Sequence, residues 1–411
     1  MPKAFFIILA ATLSSLLASS WIFTKVLYIA KSKRLTDNPS NRKFQIVPVP
    51  VLGGLAVFFG LTVGVMVGLA ATTTLGSHMI LDSMPVMLAM MLMLYVGSLD
   101  DILDMKANMR LFLETLIIIA MIYSSGYCID SFHGLWGVGD FSWWIAVPLT
   151  VFASVGIINA MNMIDGVNGL SSGICIACNA IFGVAFYHSN DLVNSMLAFS
   201  MSAALLPFLM HNIFGKHSKM YIGDSGTMVM GTLLSWFTIC LLRSGNPLNG
   251  IALFPYYNMI AFCVSVLSVP VADTLRVMGM RIINGKNPFK PDRTHLHHAL
   301  INVGVSHSIT ALIEIVIDCI IVAIFGWIAV VNKYPLDLQL YIVVASAMIL
   351  VWGSYAFLNY HVSHKTAFLA KMQRWSRHTH LGHKRWWLRL QGMLDASELK
   401  FIESLRNCKK M

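Results

Sequence analysis

Aspartate residues occur in short clusters, each next to a long apolar segment. One cluster is LDDILD, with Asp100, Asp101 and Asp104, and another is GDSG, with Asp224. Adjacent carboxylates at a helix end can hold Mg²⁺, which prefers carboxylate and phosphate oxygens, or hold a proton-accepting group near it. A Gly-Asp-Ser-Gly turn lets the backbone approach a phosphate while its aspartate reaches the metal. Both clusters therefore contain residue types that phosphoryl transfer needs.

Two further clusters add amide, histidine and arginine side chains. Asn159 and Asn162 are three residues apart, so they share one face of a helix, and Asp165-Gly166 follows them. The other cluster is PDRTHLHH over residues 291–298, whose arginine and histidines can neutralise phosphate charge. The H-x-H-H run could instead hold zinc, although no Cys, Asp or Glu beside it is clearly arranged as a fourth ligand.

Each cluster on its own also has an ordinary structural interpretation. An Asp-Asp pair at a helix end is commonly a solvated loop end, and GDSG is a common turn. Ionisable groups at the edge of a membrane are, however, costly and usually functional. The four clusters and the basic segment 25–43 all fall on one predicted side of the membrane. This one-sidedness favours a shared active site over a path through the membrane.

The apolar segments between the clusters identify the fold class. Hydrophobic residues make up 57% of the 411, charged residues make up 12%, and the mean hydropathy is +0.70. A soluble domain carries about 25% charged residues, so most of this chain's surface does not face water. The apolar runs are long enough for transmembrane helices and too unalternating for barrel strands. The sequence thus predicts an all-α, polytopic integral membrane protein.

The distribution of positive charge predicts how the chain crosses the membrane. The eleven predicted spans are residues 4–24, 46–70, 85–99, 111–126, 143–160, 169–187, 193–213, 227–243, 253–275, 308–331 and 337–360. With the first interhelical segment in the cytosol, all of the 29 Lys and Arg residues except Lys3, Arg243 and Lys333 lie on the cytosolic side. This bias places the N-terminus outside and the C-terminus in the cytosol. The net charge of +10 therefore reflects topology, and no nucleic-acid partner is predicted.

The two ends of the chain allow alternative interpretations. A cleaved signal peptide at residues 1–20 would remove the span that holds segment 25–43 in the cytosol, so an uncleaved helix is expected. Residues 1–360 are predicted to form the transmembrane catalytic domain, and residues 361–411 a basic, Trp-containing tail at the membrane surface. A solvated tail is the alternative for about the last fifteen residues. The seven scattered cysteines are interpreted as apolar helix residues.

Several motifs, in order, resemble those of the polyprenyl-phosphate N-acetylhexosamine-1-phosphate transferase family, of the glycosyltransferase 4 type. Over residues 37–300 they are DNPSNRK with PVPVLGG, LDDILD, NAMNMIDGVNGL, YIGDSGT and NPFKPDRTHLHH. The H-x-H-H run preceded by PDR is similar to the subgroup of undecaprenyl-phosphate N-acetylglucosamine-1-phosphate transferases. That subgroup primes O-antigen, enterobacterial common antigen or teichoic acid, whereas the peptidoglycan-precursor branch has three successive histidines.

The resemblance implies a reaction and its partners. A lipid phosphate oxygen attacks the β-phosphorus of a UDP-N-acetylhexosamine and UMP leaves, with Mg²⁺, or Mn²⁺ in its place, as cofactor. The implied partners are the UDP-sugar, undecaprenyl phosphate and membrane lipids, at the cytosolic face of a bacterial plasma membrane. N-acetylglucosamine is the expected sugar, with N-acetylgalactosamine or a deoxy-amino sugar as alternatives. The downstream glycan and the oligomeric state, a homodimer included, stay open.

The resemblance also assigns roles by position. Asp224 is the expected magnesium ligand, with Asp101 as a second candidate, and the expected catalytic residues are Asp100, Asp101 and Asp165. The residues expected to bind the substrates are Arg42, Lys43, Asn159, Asn162, Gly166, Asn168, Arg293, His295, His297 and His298. Two positions depart from the family pattern: Asn168 stands where an Asp near the uracil is usual, and Gln45 where a His is common.

Two other function classes and two mechanisms remain as alternatives. A secondary transporter would show repeats and ionisable groups near the midplane, whereas no repeat is visible here and the acid clusters lie at one predicted face. A membrane zinc hydrolase would need an activated water and a motif such as H-E-x-x-H, which is absent. A phosphate monoester, with a second pKa of about 6, is already ionised at neutral pH. Direct in-line attack, with Asp100 as base or orienter, is therefore expected over a covalent aspartyl intermediate.

Overall fold

The computed structural model describes residues 2–37, 48–72, 78–245, 258–287 and 293–408. The helices are α1 (Pro2–Ser32), α2 (Gly53–Ala71), α3 (His78–Leu103), α4 (Ala107–Ser125), α5 (Trp143–Met163), α6 (Leu170–His188), α7 (Leu192–Phe214), α8 (Gly223–Leu242), α9 (Met259–Val266), α10 (Ser268–Ile283), α11 (Leu296–Val303), α12 (His307–Gly326), α13 (Leu336–Ala347), α14 (Ser354–Ser363), α15 (Ala367–Ser376) and α16 (Arg385–Cys408). Two short strands, β1 (Thr36–Asp37) and β2 (Val49–Pro50), pair in antiparallel fashion.

The prediction of an all-α, multi-pass membrane protein is confirmed. Within the described residues, ten helices are long and apolar enough to cross a membrane, and the bent pair α9 and α10 makes up to eleven. π-helical segments at Trp327–Val331 and Met348–Gly353 extend α12 and join α13 to α14. The second span begins at Gly53, later than the predicted residue 46. The orientation of the termini stays a prediction.

The predicted continuous span 253–275 was wrong in its geometry. α9 ends at Val266, α10 begins at Ser268, and the two axes bend by 80°. Asp318 of α12 accepts hydrogen bonds from the Ser268 hydroxyl at 2.7 Å and from the Val269 backbone N–H at 3.1 Å. These bonds satisfy groups at the start of α10 that would otherwise be unpaired within the protein. Residues 253–257 lie outside the described part of the chain.

Helix α8 lies at the centre of the bundle, because its apolar stretch is completely buried inside the protein. Close packing around its first turn depends on glycines. A Cβ on Gly97 of α3 would overlap the Ser225 backbone, and a Cβ on Gly54 of α2 would overlap the Gly226 backbone. The beginning of α8, which carries Asp224, is therefore held at a fixed position between α2 and α3.

Successive spans alternate in direction, so the ends of α3, α5, α7 and α10 lie on one side with the starts of α4, α6, α8 and α12. We call this side the motif face, because all four sequence clusters lie on it. The connection that leads into α8 is hydrogen-bonded to β2 and to the start of α2. The Tyr221 N–H donates to the Pro50 carbonyl at 2.8 Å, and the Gly54 N–H donates to the Ile222 carbonyl at 2.8 Å. The PVPVLGG and YIGDSGT motifs thus form one unit.

The C-terminal helices α15 and α16 also contact the motif face. The ring of Trp387 in α16 lies 4.5 Å from that of Phe214 at the end of α7. Ser306, which precedes α12, donates its N–H to the Thr379 hydroxyl at 3.0 Å. The predicted division after residue 360 and the association of the tail with the membrane surface stay predictions.

Candidate active site

Asp101 holds the first turn of α8. Its Oδ1 accepts the backbone N–H of Asp224 at 2.8 Å, and its Oδ2 accepts that of Ser225 at 3.2 Å. Gly223 has φ +74, and a Cβ there would overlap the Asp101 carboxylate, so only glycine fits. A carboxylate at a helix N-terminus is favoured by the helix dipole. Asp101 therefore positions Asp224, and its predicted catalytic and metal roles stay predictions.

Arg110 of α4 connects three of the carboxylates. Its Nη1 lies 3.1 Å from Oδ2 of Asp100 and 3.9 Å from Oδ2 of Asp224, and its Nε lies 3.5 Å from Oε1 of Glu114. Its Nη2 also donates to the Asn159 amide oxygen at 3.4 Å. One guanidinium thus joins residues of α3, α4, α5 and α8. Its positive charge reduces the electrostatic repulsion between these neighbouring carboxylates.

The two asparagines of α5 reach this group from the same helix. The Asn159 amide donates to Oε2 of Glu114 at 2.6 Å. One turn later, the Asn162 amide donates to Oδ1 of Asp224 at 2.5 Å and to the Thr227 hydroxyl at 3.0 Å. Asn159 therefore fixes a buried carboxylate, whereas Asn162 fixes the carboxylate with the largest exposed fraction in this group, Asp224 at 34%.

The loop after α5 brings Asp165 and Gly166 to the histidine motif. Asp165 is exposed, accepts a hydrogen bond from Ser171 at 2.5 Å, and interacts electrostatically with Asp224. A Cβ on Gly166 would lie 2.7 Å from Nε2 of His297. The sequence-distant clusters at 165 and 297 are thus in direct contact.

The histidine motif is connected through His295 to a buried ionic network that the sequence did not reveal. Nδ1 of His295 is 2.7 Å from Oδ2 of Asp273, whose Oδ1 is 2.7 Å from Nη2 of Arg276. Arg276 in turn donates to the Thr294 carbonyl at 2.6 Å. Asp273 therefore fixes His295 and the start of α11. The only sequence signal for Asp273 was an acid inside a predicted span, three residues before an arginine.

His297 is completely buried between its neighbours. Its ring lies 4.4 Å from that of His298. Burial and the rings of His298 and His295 hold the pKa of His297 well below its usual range, so this ring is neutral at pH 7. Over the described ranges of the chain, no three His, Cys, Asp or Glu side chains are arranged to hold a metal ion.

Two expected substrate-binding residues, Arg42 and Lys43, lie outside the described residues, as does Asp292. Arg293 is exposed at the motif face, and the Asn168 N–H donates to Nδ1 of His307 at 3.4 Å. The structure adds contacts of Arg110, Glu114, Thr227 and Asp273, which are not among the expected site residues. Arg110 and Glu114 are four residues apart at the start of an apolar segment, a spacing that could have identified the pair.

Asp224 has the chemistry of a magnesium ligand. Mg²⁺ in proteins usually takes one or two carboxylates and completes its shell with water and substrate phosphates. The partly exposed Asp224 carboxylate meets that requirement, and the Asn162 amide fixes its orientation. Asp101 is less available, because both of its oxygens already accept backbone N–H groups. The described donor set therefore fits Mg²⁺ held by Asp224.

Replacing Gly166 by alanine tests the contact between the 165 and 297 clusters. The added Cβ would overlap Nε2 of His297, so the loop must shift, and we expect activity to fall roughly 10- to 100-fold. The control is Gly156→Ala, since a Cβ on Gly156 meets no atom within 4 Å. Equal activity of the two alanine variants in a turnover assay would show that the contact does not matter.

Known proteins and a family model resemble this chain. The model of glycosyl transferase family 4 matches residues 83–242. A Bacillus subtilis (strain 168) protein, "probable undecaprenyl-phosphate N-acetylglucosaminyl 1-phosphate transferase", is 31% identical over 307 residues, which cover 74% of this chain and 80% of the relative. An "undecaprenyl-phosphate alpha-N-acetylglucosaminyl 1-phosphate transferase" from Yersinia pestis is 27% identical, covering 71% and 76%. Its namesake in Escherichia coli (strain K12) is 26% identical, covering 77% and 84%.

Proposed function

Because the chain belongs to glycosyl transferase family 4, we propose that it transfers N-acetylglucosamine 1-phosphate from a UDP-sugar to undecaprenyl phosphate. The relatives' names supply the sugar 1-phosphate and the acceptor, and the motif similarity supplies the UDP donor. The product starts a cell-surface glycan. The reaction takes place at the cytosolic face of a bacterial plasma membrane, where most of the Lys and Arg residues are predicted to lie.

The observation that supports this proposal best is the convergence of three helices on Asp224 at the start of α8. Asp101 of α3 holds its backbone, Asn162 of α5 holds one of its oxygens, and Arg110 of α4 approaches the other. Phosphoryl transfer needs little covalent chemistry from the protein and depends on positioning and charge. A fixed, partly exposed carboxylate beside a guanidinium, at the membrane edge, meets both needs. A water-soluble diphosphate and a lipid headgroup can meet at such a site.

The proposed reaction is a direct displacement. An oxygen of the lipid phosphate bonds to the β-phosphorus of the UDP-sugar, and the bond from that phosphorus to the α,β-bridging oxygen breaks. UMP leaves with the bridging oxygen and its electron pair. Mg²⁺, when bound at Asp224, supplies positive charge to the diphosphate. The lipid phosphate is already mostly ionised at neutral pH, since its second pKa is about 6.

Asp100 acts as an orienting residue in this scheme. Its Oδ1 accepts the Met105 N–H at 2.8 Å, and its Oδ2 receives Arg110. Asp100 therefore fixes the guanidinium that lies near Asp224. Arg293 and the histidines at 295, 297 and 298 are proposed to contact phosphate or sugar groups, with Asp165 and Asn168 beside the nucleotide.

Purified protein supplied with undecaprenyl phosphate, Mg²⁺ and a panel of UDP-sugars tests the proposal. We expect UMP release with UDP-N-acetylglucosamine, dependence on the lipid phosphate, and loss on Mg²⁺ chelation that added Mg²⁺ or Mn²⁺ reverses. A zinc-selective chelator should leave the rate unchanged. UMP release with another UDP-N-acetylhexosamine would revise the sugar alone. Absence of UMP release with every sugar in the panel, from folded protein, would overturn the proposed reaction.

A further inference from the structure

Lys219 lies in the connection between α7 and α8, five residues before Asp224, and its side chain turns inwards. Its Nζ is 5.6 Å from the centre of the Tyr221 ring, and its charge acts on the ring of His307. His307 accepts the N–H of Asn168, and Tyr221 interacts electrostatically with Asp165. The ammonium group therefore lies beside the 165–168 loop.

Lys219 is a largely buried cation without a counter-ion in the described part of the chain. Only a minor fraction of the residue is exposed, and no carboxylate of a described residue lies within 4.0 Å of its Nζ. Burial lowers the pKa of Lys219 to about 8. Removing a cation from water without an anionic partner is costly, and an anionic ligand offsets this cost. The exposed Lys216, in the same loop, lacks this environment.

The C-terminal tail holds the loop that carries Lys219. One oxygen of Asp395, in α16, accepts the backbone N–H groups of three successive residues, at 3.2 Å from Lys216, 3.1 Å from His217 and 2.9 Å from Ser218. It also accepts the Ser218 hydroxyl at 2.8 Å. On the other side of Lys219, the Asn212 amide donates to the Met220 carbonyl at 2.9 Å. The backbone on both sides of Lys219 is thus fixed before any ligand arrives.

We propose that Lys219 binds a substrate phosphate beside the 165–168 loop, and that Asp395 is a positioning residue that acts through Lys219. This inference rests on the proposed function, in which both substrates carry phosphate: the donor a diphosphate and the lipid acceptor a monophosphate. A lysine suits either group, because its ammonium is a compact charge with three donors. The tail is then part of the substrate site.

Steady-state kinetics of Lys219→Met, Lys219→Arg and the control Lys216→Met test the inference. Lys219→Met should raise one KM about 10- to 100-fold, the usual effect of losing a hydrogen bond to a charged group, with kcat changed less. Lys219→Arg should restore most of the loss, and Lys216→Met should match the wild type. A rise in KM for the UDP-sugar identifies the diphosphate, and a rise for undecaprenyl phosphate identifies the lipid headgroup. Unchanged values of both KM, or a fall in kcat alone, would overturn the inference.

Equilibrium binding separates failure of this inference from failure of the proposed function. Titrating wild type and Lys219→Met with UDP and with undecaprenyl phosphate, in the presence of Mg²⁺, needs no turnover. Weaker binding of one of them by Lys219→Met supports the inference even if no UMP release is found. Equal binding of both by the two proteins refutes it even if the enzyme turns over.

Asp395 is tested by its coupling to Lys219. Asp395→Ala should raise the same KM by about threefold to tenfold, and Asp395→Asn, which keeps an acceptor oxygen, should recover part of the loss. In the double variant Lys219→Met/Asp395→Ala the two effects should not add, because Asp395 acts through the ammonium group. Additive losses would show that Asp395 has only a structural role.

Discussion

Replacing Asp224 by asparagine is expected to lower the rate of UMP release by roughly 100- to 1,000-fold while the protein stays folded in the membrane. Asparagine has the same shape as aspartate, and its amide oxygen can still accept the hydrogen bond from the Asn162 amide. The first turn of α8 should therefore keep its position. The variant loses the partly exposed negative charge, however, and with it the proposed site for Mg²⁺. The rate should not recover at higher Mg²⁺ concentration.

Asp104→Asn is the matched control for this variant. Asp104 belongs to the same LDDILD motif as Asp101, and replacing it by asparagine removes a carboxylate in the same way. Asp104 is exposed, however, and its φ of +49 is one that asparagine tolerates. Turnover over a range of Mg²⁺ concentrations, with elution from size-exclusion chromatography in detergent, measures activity and folding separately. Near-normal turnover by Asp224→Asn would refute the metal assignment, and an equal loss in Asp104→Asn would point to a general effect of the substitution.

The membrane fold could be predicted from the sequence, because a transmembrane helix is specified by local composition. A run of about 20 apolar residues has to cross the bilayer as a helix, whatever the rest of the chain does. The break at Leu267 could not be predicted in this way. It depends on Asp318, fifty residues away, whose carboxylate satisfies the start of α10. Sequence hydropathy does not report that contact.

The location of the site could be predicted, but the contacts within it could not. The four clusters, around residues 100, 162, 224 and 295, all lie on the motif face, as the alternation of spans required. The role of each acid depends on which partner approaches it in space. Asp101 is occupied by two backbone N–H groups, whereas its neighbour Asp100 receives Arg110. Two adjacent aspartates on a helix point in different directions, which the spacing of the motif alone does not show.

The contact between the tail and the site also depends on tertiary structure. The composition of residues 361–411 predicted a segment near the membrane surface, and that prediction was based on the basic and aromatic residues of the tail. The contact that matters for the site is made by an acid, Asp395, with three backbone N–H groups. Backbone groups carry no sequence signal, so this contact was not predictable.

Replacing Arg110 by glutamine is the second change for which we expect a large effect, and here stability and activity should fall together. Glu114 is only 1% exposed and Asp100 7%, so removing the guanidinium leaves two nearly buried carboxylates without their cation. Breaking a buried ion pair by deleting one partner costs about 3–5 kcal/mol of folding stability. The rate of UMP release should fall by about 100-fold, because Arg110 also lies beside Asp224.

A second substitution separates the two roles of Arg110. In Arg110→Gln/Glu114→Gln the more deeply buried charge is removed together with its cation, and Asn159 can still hydrogen-bond the new amide. We expect thermal unfolding in detergent to return towards the wild-type temperature while UMP release stays low. Arg110→Lys should recover little activity, since a single ammonium cannot reach Asp100, Glu114 and Asn159 at once. Recovery of both stability and turnover in the double variant would show that Arg110 only balances buried charge, and the phosphate chemistry would then rest on the other cations of the motif face.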